Sequence, residues 1–464
     1  METITAAAPA SSPPTDFSGT TKIRLREKIG YGFGDLASNL VFTAMTTFLT
    51  YFYTDVAGVT AATVGTILLI SRILDGVIDI GMGVVMDKTK SKHGKARPWL
   101  LWMAIPFAIS AVLLFIMPDL GTTGKIIYIF ITYNLVNIIY TSINIPYGAL
   151  NSLITQDQYE RSVLNIFRML MAMIGAIVVS TVTTPIVEAL GDGRQGWQYT
   201  FMIYGAIAAV LFFVTFRSTK ERVKPSNAAS GADKVPVKVG VKALFRNKYW
   251  AIMVLVMIVM FTSQGLNGVS IYYAEYVLGD KDLVGTLTMV SFLPLLVGMA
   301  FLAPVIKRFG KRNAMLFGSV IGLIGTGIMM LGPESLNIIM IGSIVKGLGM
   351  APVAASGFAM LADTIEYGEW KSGVRTEGLV YSAGSFGTKV GSGIGAGVLG
   401  WVLALGGYVG DQATQSAEAV SSIKALFIYI PFVLVVLQLI LLLFYKLDKE
   451  YPAIMRELKA RAGE

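Results

Sequence analysis

The chain has 464 residues, of which 54% are hydrophobic and only 14% are Asp, Glu, Lys or Arg, with a formal net charge of +9. A soluble protein of this size carries roughly 25% charged residues, so this composition, at a mean hydropathy of +0.64, excludes a soluble globular domain and indicates a polytopic membrane protein. Cysteine is absent and His93, in a loop, is the single histidine, which excludes disulfides, thiolate nucleophiles and Cys metal sites and argues against His-based catalysis.

Residues 1–21 are rich in Ala, Ser, Thr and Pro and contain no apolar run. They read as a disordered tail and not as a cleaved signal peptide. Beyond them, about twelve apolar segments approach the ~20 residues needed to cross a bilayer: 29–54, 61–86, 98–117, 125–152, 162–190, 197–216, 249–277, 283–306, 313–332, 335–362, 377–406 and 423–445. Of the 38 Lys and Arg residues, 30 fall on the side of the two termini, four on the other side and four inside helices. The positive-inside rule then places both termini in the cytoplasm. The same asymmetry makes the basic charge a matter of topology and not of nucleic-acid binding.

In chain order, the first helix carries Tyr31, Asp35 and Asn39. Asp35 has two readings, a polar group facing an internal cavity or an acidic residue near the helix start. The second helix carries Arg72, Asp75 and Asp79. A charge at bilayer depth costs at least ~2.5–3.5 kcal/mol. At ~100° per residue these three side chains fall within about 60° of arc on one face. Two carboxylates and a guanidinium on one stripe predict a place where a small cation or a proton is held. After this helix comes Asp87-Lys-Thr-Lys-Ser-Lys-His-Gly94-Lys95-Ala-Arg97-Pro98, and after the eighth comes Lys307-Arg308-Phe-Gly310-Lys311-Arg312. Each basic turn caps a helix end and can pair with acids across the interface between the two halves.

The fourth helix shows Tyr133, Asn137, Tyr140, Thr141, Asn144 and Gly148 as one polar stripe about 20 Å long. Interhelical hydrogen bonding alone is one reading; a water-lined cavity explains the continuity better. Arg168 in the fifth helix either snorkels to the surface or pairs with an acid of the first or second helix. The loop at 217–248 divides the chain into bundles at 22–216 and 249–446, followed by a cytoplasmic tail at 447–464. In the tenth helix Lys346 is a further charge without an evident role. The eleventh helix aligns Ser382, Ser385, Lys389 and Ser392 among many glycines, which allow close packing or a helix break. Lys389 is deep enough to face a cavity or to pair with Asp75 or Asp79. The whole pattern is all-α: twelve transmembrane helices in two six-helix bundles, the major facilitator fold with a midplane site. An enzyme is not expected, because Asp75 and Asp79 share one helix face and cannot flank a glycosidic bond as a hydrolase pair does.

Tyr31-Gly-Phe-Gly-Asp35, Tyr53-Thr-Asp55, Arg72-x-x-Asp75-x-x-x-Asp79, Gly94-Lys95-x-Arg97-Pro98-Trp99, Asn144-Ile-Pro146-Tyr147 and Ala362-Asp363-Thr364-Ile-Glu366-Tyr367-Gly368-Glu369-Trp370 together resemble the glycoside–pentoside–hexuronide:cation symporters, over residues 24 to 450. The resemblance implies that Asp75 and Asp79 bind the coupling cation with Thr141 and Lys389 beside them, and hold it as a metal site if the ion is Na+. It implies a sugar cavity lined by Asn39, Tyr140, Asn144, Arg168 and Ser385, to which Asp35 and Arg72 on the same inner faces are added. Arg161, Arg308, Asp363 and Arg375 would form a cytoplasmic gate together with Asp87. Melibiose-type members carry acids at the positions of Asn39 and Asn144 and a tryptophan at Gly148, so this chain looks more like the xyloside and glucuronide branch.

The expected function is symport of a glycoside, a pentoside or β-glycoside, with H+ or Na+ and no cofactor, by a monomer in the lipid of a bacterial cell membrane. Ile78 beside Asp79 tilts the ion toward the proton. A glucuronide substrate is the nearest alternative; a lysolipid carrier and a non-transporting sugar sensor are the rivals of other classes.

Overall fold

The computed structural model describes residues 23–155, 157–223, 237–374 and 377–462. The tail over 1–21, the middle of the long loop and Arg375 lie outside them. Among the described residues the regular structure is helical throughout. The first half comprises α1 (Leu25–Tyr51), extended by a π turn over Phe52–Val56, then α2 (Ala61–Lys88), α3 (Arg97–Leu114), α4 (Thr122–Ile154), α5 (Gln158–Ala189) and α6 (Gly193–Ser218). A short helix α7 (Val237–Phe245) closes the long loop. The second half comprises α8 (Lys248–Gly265), α9 (Val269–Tyr276), α10 (Leu283–Ala300), α11 (Leu302–Phe309), α12 (Lys311–Met330), α13 (Leu336–Ser372), α14 (Glu377–Leu405), α15 (Ala417–Lys424), α16 (Ile430–Phe444) and the terminal α17 (Leu447–Ala462).

Among the described residues, eleven helices are long and apolar enough to cross a membrane. The 27-residue α1 is the twelfth by length, made less apolar by Glu27, Lys28, Asp35 and Asn39. Three spans expected as continuous helices are interrupted. The seventh breaks at Leu266–Gly268, where α1 passes so close that a Cβ on Gly268 would lie 3.2 Å from the Thr46 carbonyl oxygen. The eighth breaks between α10 and α11, and the twelfth passes through a π turn at Ala425–Tyr429. The tenth instead runs ten residues beyond its expected end, carrying Asp363 to Trp370 on helix.

The halves repeat each other in packing as well as in order. In the first, α1 packs on α5 and α6, α2 on α4, and α3 on α4 and α6. In the second, α8 packs on α14 and α16, α10 on α13, and α12 on α13 and α16. Each pairing has its counterpart six spans later, as parallel repeats about an axis along the membrane normal require. The principal contacts between halves are α2 with α14 and α5 with α10, which are again equivalents.

The carboxylate of Glu221, just past α6, accepts the backbone N–H groups of Lys95, Ala96 and Arg97 at 2.9 Å each. The carboxylate of Asp448, just past α16, accepts the N–H of Arg312 at 2.9 Å. Each acid thus neutralises the positive end of the helix that starts the next span, α3 or α12. Gly94 has φ +104°, and a Cβ there would lie 2.2 Å from the Glu221 carboxylate; Gly310 has φ +81° beside Asp448. These acids belong to the same half as the turn they cap, not to the opposite half as expected. Replacing Gly94 by alanine adds backbone strain and expels the capping carboxylate. The expected cost is about 1–3 kcal/mol, read as a lower thermal midpoint in detergent. Glu221→Gln should lower it less, because the amide oxygen still accepts.

Candidate functional site

The glycines of α14 seat it between two neighbours. Hypothetical Cβ atoms on Gly391 and Gly395 would overlap the Ile258 and Thr262 carbonyl oxygens of α8, at 2.5 and 2.2 Å. One on Gly393 would lie 2.9 Å from the Arg72 Cβ, and one on Gly400 2.2 Å from the Ala61 carbonyl oxygen of α2. Of the two readings of these glycines, close packing therefore holds, and α14 runs unbroken. This contact brings Lys389 of the second half against the charged stripe of α2 in the first.

Lys389 Nζ lies 2.9 Å from Asp75 Oδ2 and 2.5 Å from Asp79 Oδ2, and donates to the Asp75 carbonyl oxygen at 3.2 Å. From α4 the Thr141 hydroxyl faces the other carboxylate oxygens, at 3.2 Å from Asp75 Oδ1 and 2.8 Å from Asp79 Oδ1. It has one proton to donate, so it serves the two acids alternately. Arg72 Nη1 is 3.6 Å from Asp75 Oδ2. The side chain of Asp75 is 3% exposed, that of Asp79 23%. Asp79 is therefore the wet member of the pair. Two carboxylates, one ammonium and one guanidinium balance in charge. Lys389 bridges the two carboxylates.

A second ion pair stands at similar depth. Arg168 Nε donates to Asp35 Oδ2 at 2.7 Å and Arg168 Nη2 to Asp35 Oδ1 at 3.3 Å, a two-pronged contact. Of the readings of these residues, the pairing of Arg168 with an acid of the first helix is the one realised. The guanidinium lies 4.6 Å above the Tyr147 ring. Tyr31 and Tyr147 exchange hydroxyl-to-carbonyl hydrogen bonds of 3.2 and 2.5 Å, fixing α1 to α4 beneath it. Tyr140 stacks on Phe42 at 5.4 Å, and Arg72 lies over Phe42 and Tyr133 at 5.5 and 5.9 Å. Phe42 and Tyr133 join the site in this packing; of the two, only Tyr133, spaced from Tyr140 along the polar stripe, carries a signal in the sequence.

The remaining sugar-site candidates are half-buried or exposed at the same level. The Asn39 amide donates to the Asp35 carbonyl oxygen at 2.9 Å, Asn144 is half-buried and Ser385 is exposed on α14. Counting along their helices from the face that carries residues 25 and 462, called here the near face, all these residues stand roughly 12–24 Å deep at 1.5 Å per residue. Lys346 is remote from them: its backbone lies against Gly325 of α12.

Of the described gate candidates, Arg308 and Asp363 line one cavity of the second half, and Arg161 stands apart in the first. The Arg161 guanidinium donates to the Thr155 and Ser152 carbonyl oxygens, Asp363 pairs with Lys311 at 2.7 Å, and Arg308 lies over Phe309. Each partner is in the same half. The Asp87 side chain and Arg375 lie outside the described residues. One stripe of α2 shows how the halves stand. Gly65 and Gly76 touch α14, whereas a Cβ on Gly83, on the same stripe toward the near face, would meet nothing within 4 Å. The halves are closed at the distal face and parted at the near face.

A family profile described as MFS/sugar transport protein matches residues 30–449. The chain is 38% identical to the isoprimeverose transporter of Lactiplantibacillus pentosus over 99% of its own length and 96% of the relative. It is 33% identical to the inner membrane symporter YicJ of Escherichia coli, covering 88% and 89% of the two chains. It is 31% identical to the glucuronide carrier protein homolog of Escherichia coli, covering 94% and 96%. Among solved structures, a proton dependent oligopeptide transporter superposes with a TM-score of 0.67 at 13% identity over 94% of this chain and all of the other. The nucleoside transporter NupG gives 0.64 at 15% identity over 92% and 100%. These two likenesses establish the fold.

Proposed function

This chain belongs to the glycoside–pentoside–hexuronide:cation symporter family of the major facilitator superfamily, so it is a multi-span membrane transporter and not an enzyme, and we propose that it carries a neutral xyloside-type glycoside together with a proton. The observation that carries the coupling is the bridge of Lys389 to both Asp75 and Asp79 across the two halves. In the unloaded protein the ammonium stands in for the coupling ion. When the ion neutralises the acid pair, Lys389 is released and the seam between α2 and α14 loosens. The same event changes the setting of Thr141 on α4, two turns of which also carry Tyr140 and Asn144. Ion and sugar then raise each other's affinity, by a coupling of typically ~1–3 kcal/mol, and the loaded carrier rocks about the midplane.

The charge pairing supports a neutral sugar. A hexuronide brings a carboxylate that needs a free cation. Among the described site residues Arg168 is held by Asp35, and Arg72 and Lys389 by the acid pair. Asn39, Asn144 and Ser385 offer neutral donors and acceptors for hydroxyls, and the Phe42–Tyr140 stack offers an apolar wall to a ring face. Isoprimeverose, for which the first relative is named, is the natural probe. Ile78 beside Asp79 contributes no side-chain oxygen, which supports the proton over Na+. Thirty of the 38 basic residues fall in the sequence segments on the side of the two termini, which supports a cytoplasmic near face in a bacterial cell membrane, with Arg161, Arg308, Asp363, Arg375 and Asp87 closing it in the alternate state. The carrier acts as a monomer in this reading.

The test is uptake into proteoliposomes under separate proton and sodium gradients, with isoprimeverose, methyl xyloside and methyl glucuronide. Uphill uptake of the neutral xylosides under an inward proton gradient is the expected result. Uptake confined to the glucuronide, or flux indifferent to any cation gradient, would refute this reading.

A further inference from the structure

Asp55 is a carboxylate that the coupling site does not use. It lies at the distal end of the first span, in the Tyr53-Thr54-Asp55 motif, only 9% exposed. Among the described residues no Lys or Arg pairs with it. Its acceptors are filled by O–H and N–H donors instead. Asp55 Oδ2 receives the Thr54 hydroxyl at 2.5 Å. Oδ1 receives three donors from the opposite half: the Tyr408 hydroxyl at 2.6 Å, the Tyr276 hydroxyl at 3.1 Å and the Asp411 backbone N–H at 3.3 Å. Thr54 and Tyr272 share a further hydroxyl contact of 2.8 Å across the same seam.

The second half is shaped around this carboxylate. Asp411 has φ +61°, one of two described non-glycine residues with positive φ, and that bend turns its N–H toward Asp55; such strained backbone persists only where the surroundings hold it. A Cβ on Gly410 would lie 2.3 Å from the Thr54 carbonyl oxygen, so glycine lets the loop close on the helix end. A cavity of about 520 Å³, lined in part by Tyr51, Glu275 and Tyr276, opens on the solvent side of the contact. At its rim Lys281 pairs with Glu188 of the first half at 2.8 Å. Burial disfavours the charge of Lys281, but Glu188 and Asp192 outweigh it and its pKa is raised.

We propose that Asp55 is the residue that latches the distal gate: one acceptor from the first half clasped by Tyr276, Tyr408 and the Asp411 N–H of the second, so that distal opening requires the release of these bonds. A carboxylate held by several oriented O–H and N–H donors is directional and is lost within a small displacement. The proposal rests on alternating access by this chain, with its near face cytoplasmic, but on no particular sugar or ion.

The absence of native cysteine makes the test direct. Thr50, 4% exposed and facing Gly268 across the seam, becomes a distal reporter as Thr50→Cys. Gly83, on the parted stripe of α2, becomes a near-face reporter as Gly83→Cys. Each is combined with Asp55→Asn, and separately with Tyr276→Phe plus Tyr408→Phe, which keeps the carboxylate and removes two donors. Labelling by an impermeant maleimide is followed from the distal side in intact cells and from the near side in inverted vesicles. The expected result is distal labelling at least about threefold faster than in the parent reporter, with slower near-face labelling. That reciprocal change is one that local loosening would not produce. Distal labelling at the parent rate in both backgrounds overturns the latch, as does faster distal labelling with near-face labelling unchanged. A failure of the proposed substrate or ion leaves these readouts unaffected and appears only in the flux assay.

Discussion

Asp75→Asn and Asp79→Asn should each abolish cation-driven accumulation while sparing exchange. One elementary charge moved through 100 mV is worth ~2.3 kcal/mol, enough for a sugar gradient of about 50-fold. The accumulation ratio of the variants is therefore expected to fall from that order to unity. Counterflow of internal for external glycoside needs no ion gradient and should survive within several-fold, because the sugar candidates Asn144, Arg168 and Tyr140 stand on other helices. The two variants should differ. Asp75 is the drier residue and touches Lys389, Thr141 and Arg72, so its loss also costs stability. Asp79 is wetter and its loss should act mainly on coupling. Undiminished uphill uptake in both variants would sink the coupling role. Lys389→Met provides the converse. Two facing carboxylates without their ammonium repel, so the site should take up a cation more tightly and release it more slowly.

Asp35→Asn is expected to have the other large effect. It leaves the Arg168 guanidinium, 22% exposed, against Tyr147 with no counter-charge; breaking a fully buried pair from one side costs about 3–5 kcal/mol, and partial exposure places the cost here below that. The thermal midpoint in detergent should fall by several degrees, and glycoside binding should be lost as Arg168 swings out of its two-pronged geometry. Combining Asp35→Asn with Arg168→Gln removes both charges and should recover most of the stability, since an apolar or neutral pair escapes the desolvation penalty. It should not recover binding. If the double variant regains affinity, the pair is a structural brace and the sugar lies elsewhere.

Both predictions depend on residues that stood out in the sequence for one reason, the cost of a charge at bilayer depth. Asp75, Asp79, Arg168 and Lys389 had to have partners, and the face shared by Arg72, Asp75 and Asp79 indicated which way they point. Their partners were only partly legible. Lys389 had two candidate acids and bridges both. Arg168 had candidate acids on two helices and takes Asp35. Choosing among such options needs the rotation of each helix about its axis, which a 3.6-residue period leaves free within one broad face.

Other features were visible without their meaning. Gly94 and Gly310 marked two equivalent turns, but the acids that make glycine necessary there, Glu221 and Asp448, lie more than a hundred residues further on, past the last span of each half. Tyr53-Thr54-Asp55 was visible as a motif, yet Tyr276, Tyr408 and Asp411 come from three positions in the other half. The basic turns find Glu221, Asp448 and Asp363 within their own half, an outcome of the conformation and not of any local segment.

The sequence by itself determined that this protein spans a membrane with twelve helices in two repeated halves, since apolar length, basic loops and charge cost act locally along the chain. It also determined which polar residues must face inward. Only the tertiary structure decided which inward residues meet. Lys389 reaches the acid pair because glycines on two faces of α14 admit it between α2 and α8, and Asp55 is clasped because the end of α9 and the loop after α14, far apart in sequence, close over one helix end. Those contacts arise from close packing between distant segments, which no local period encodes.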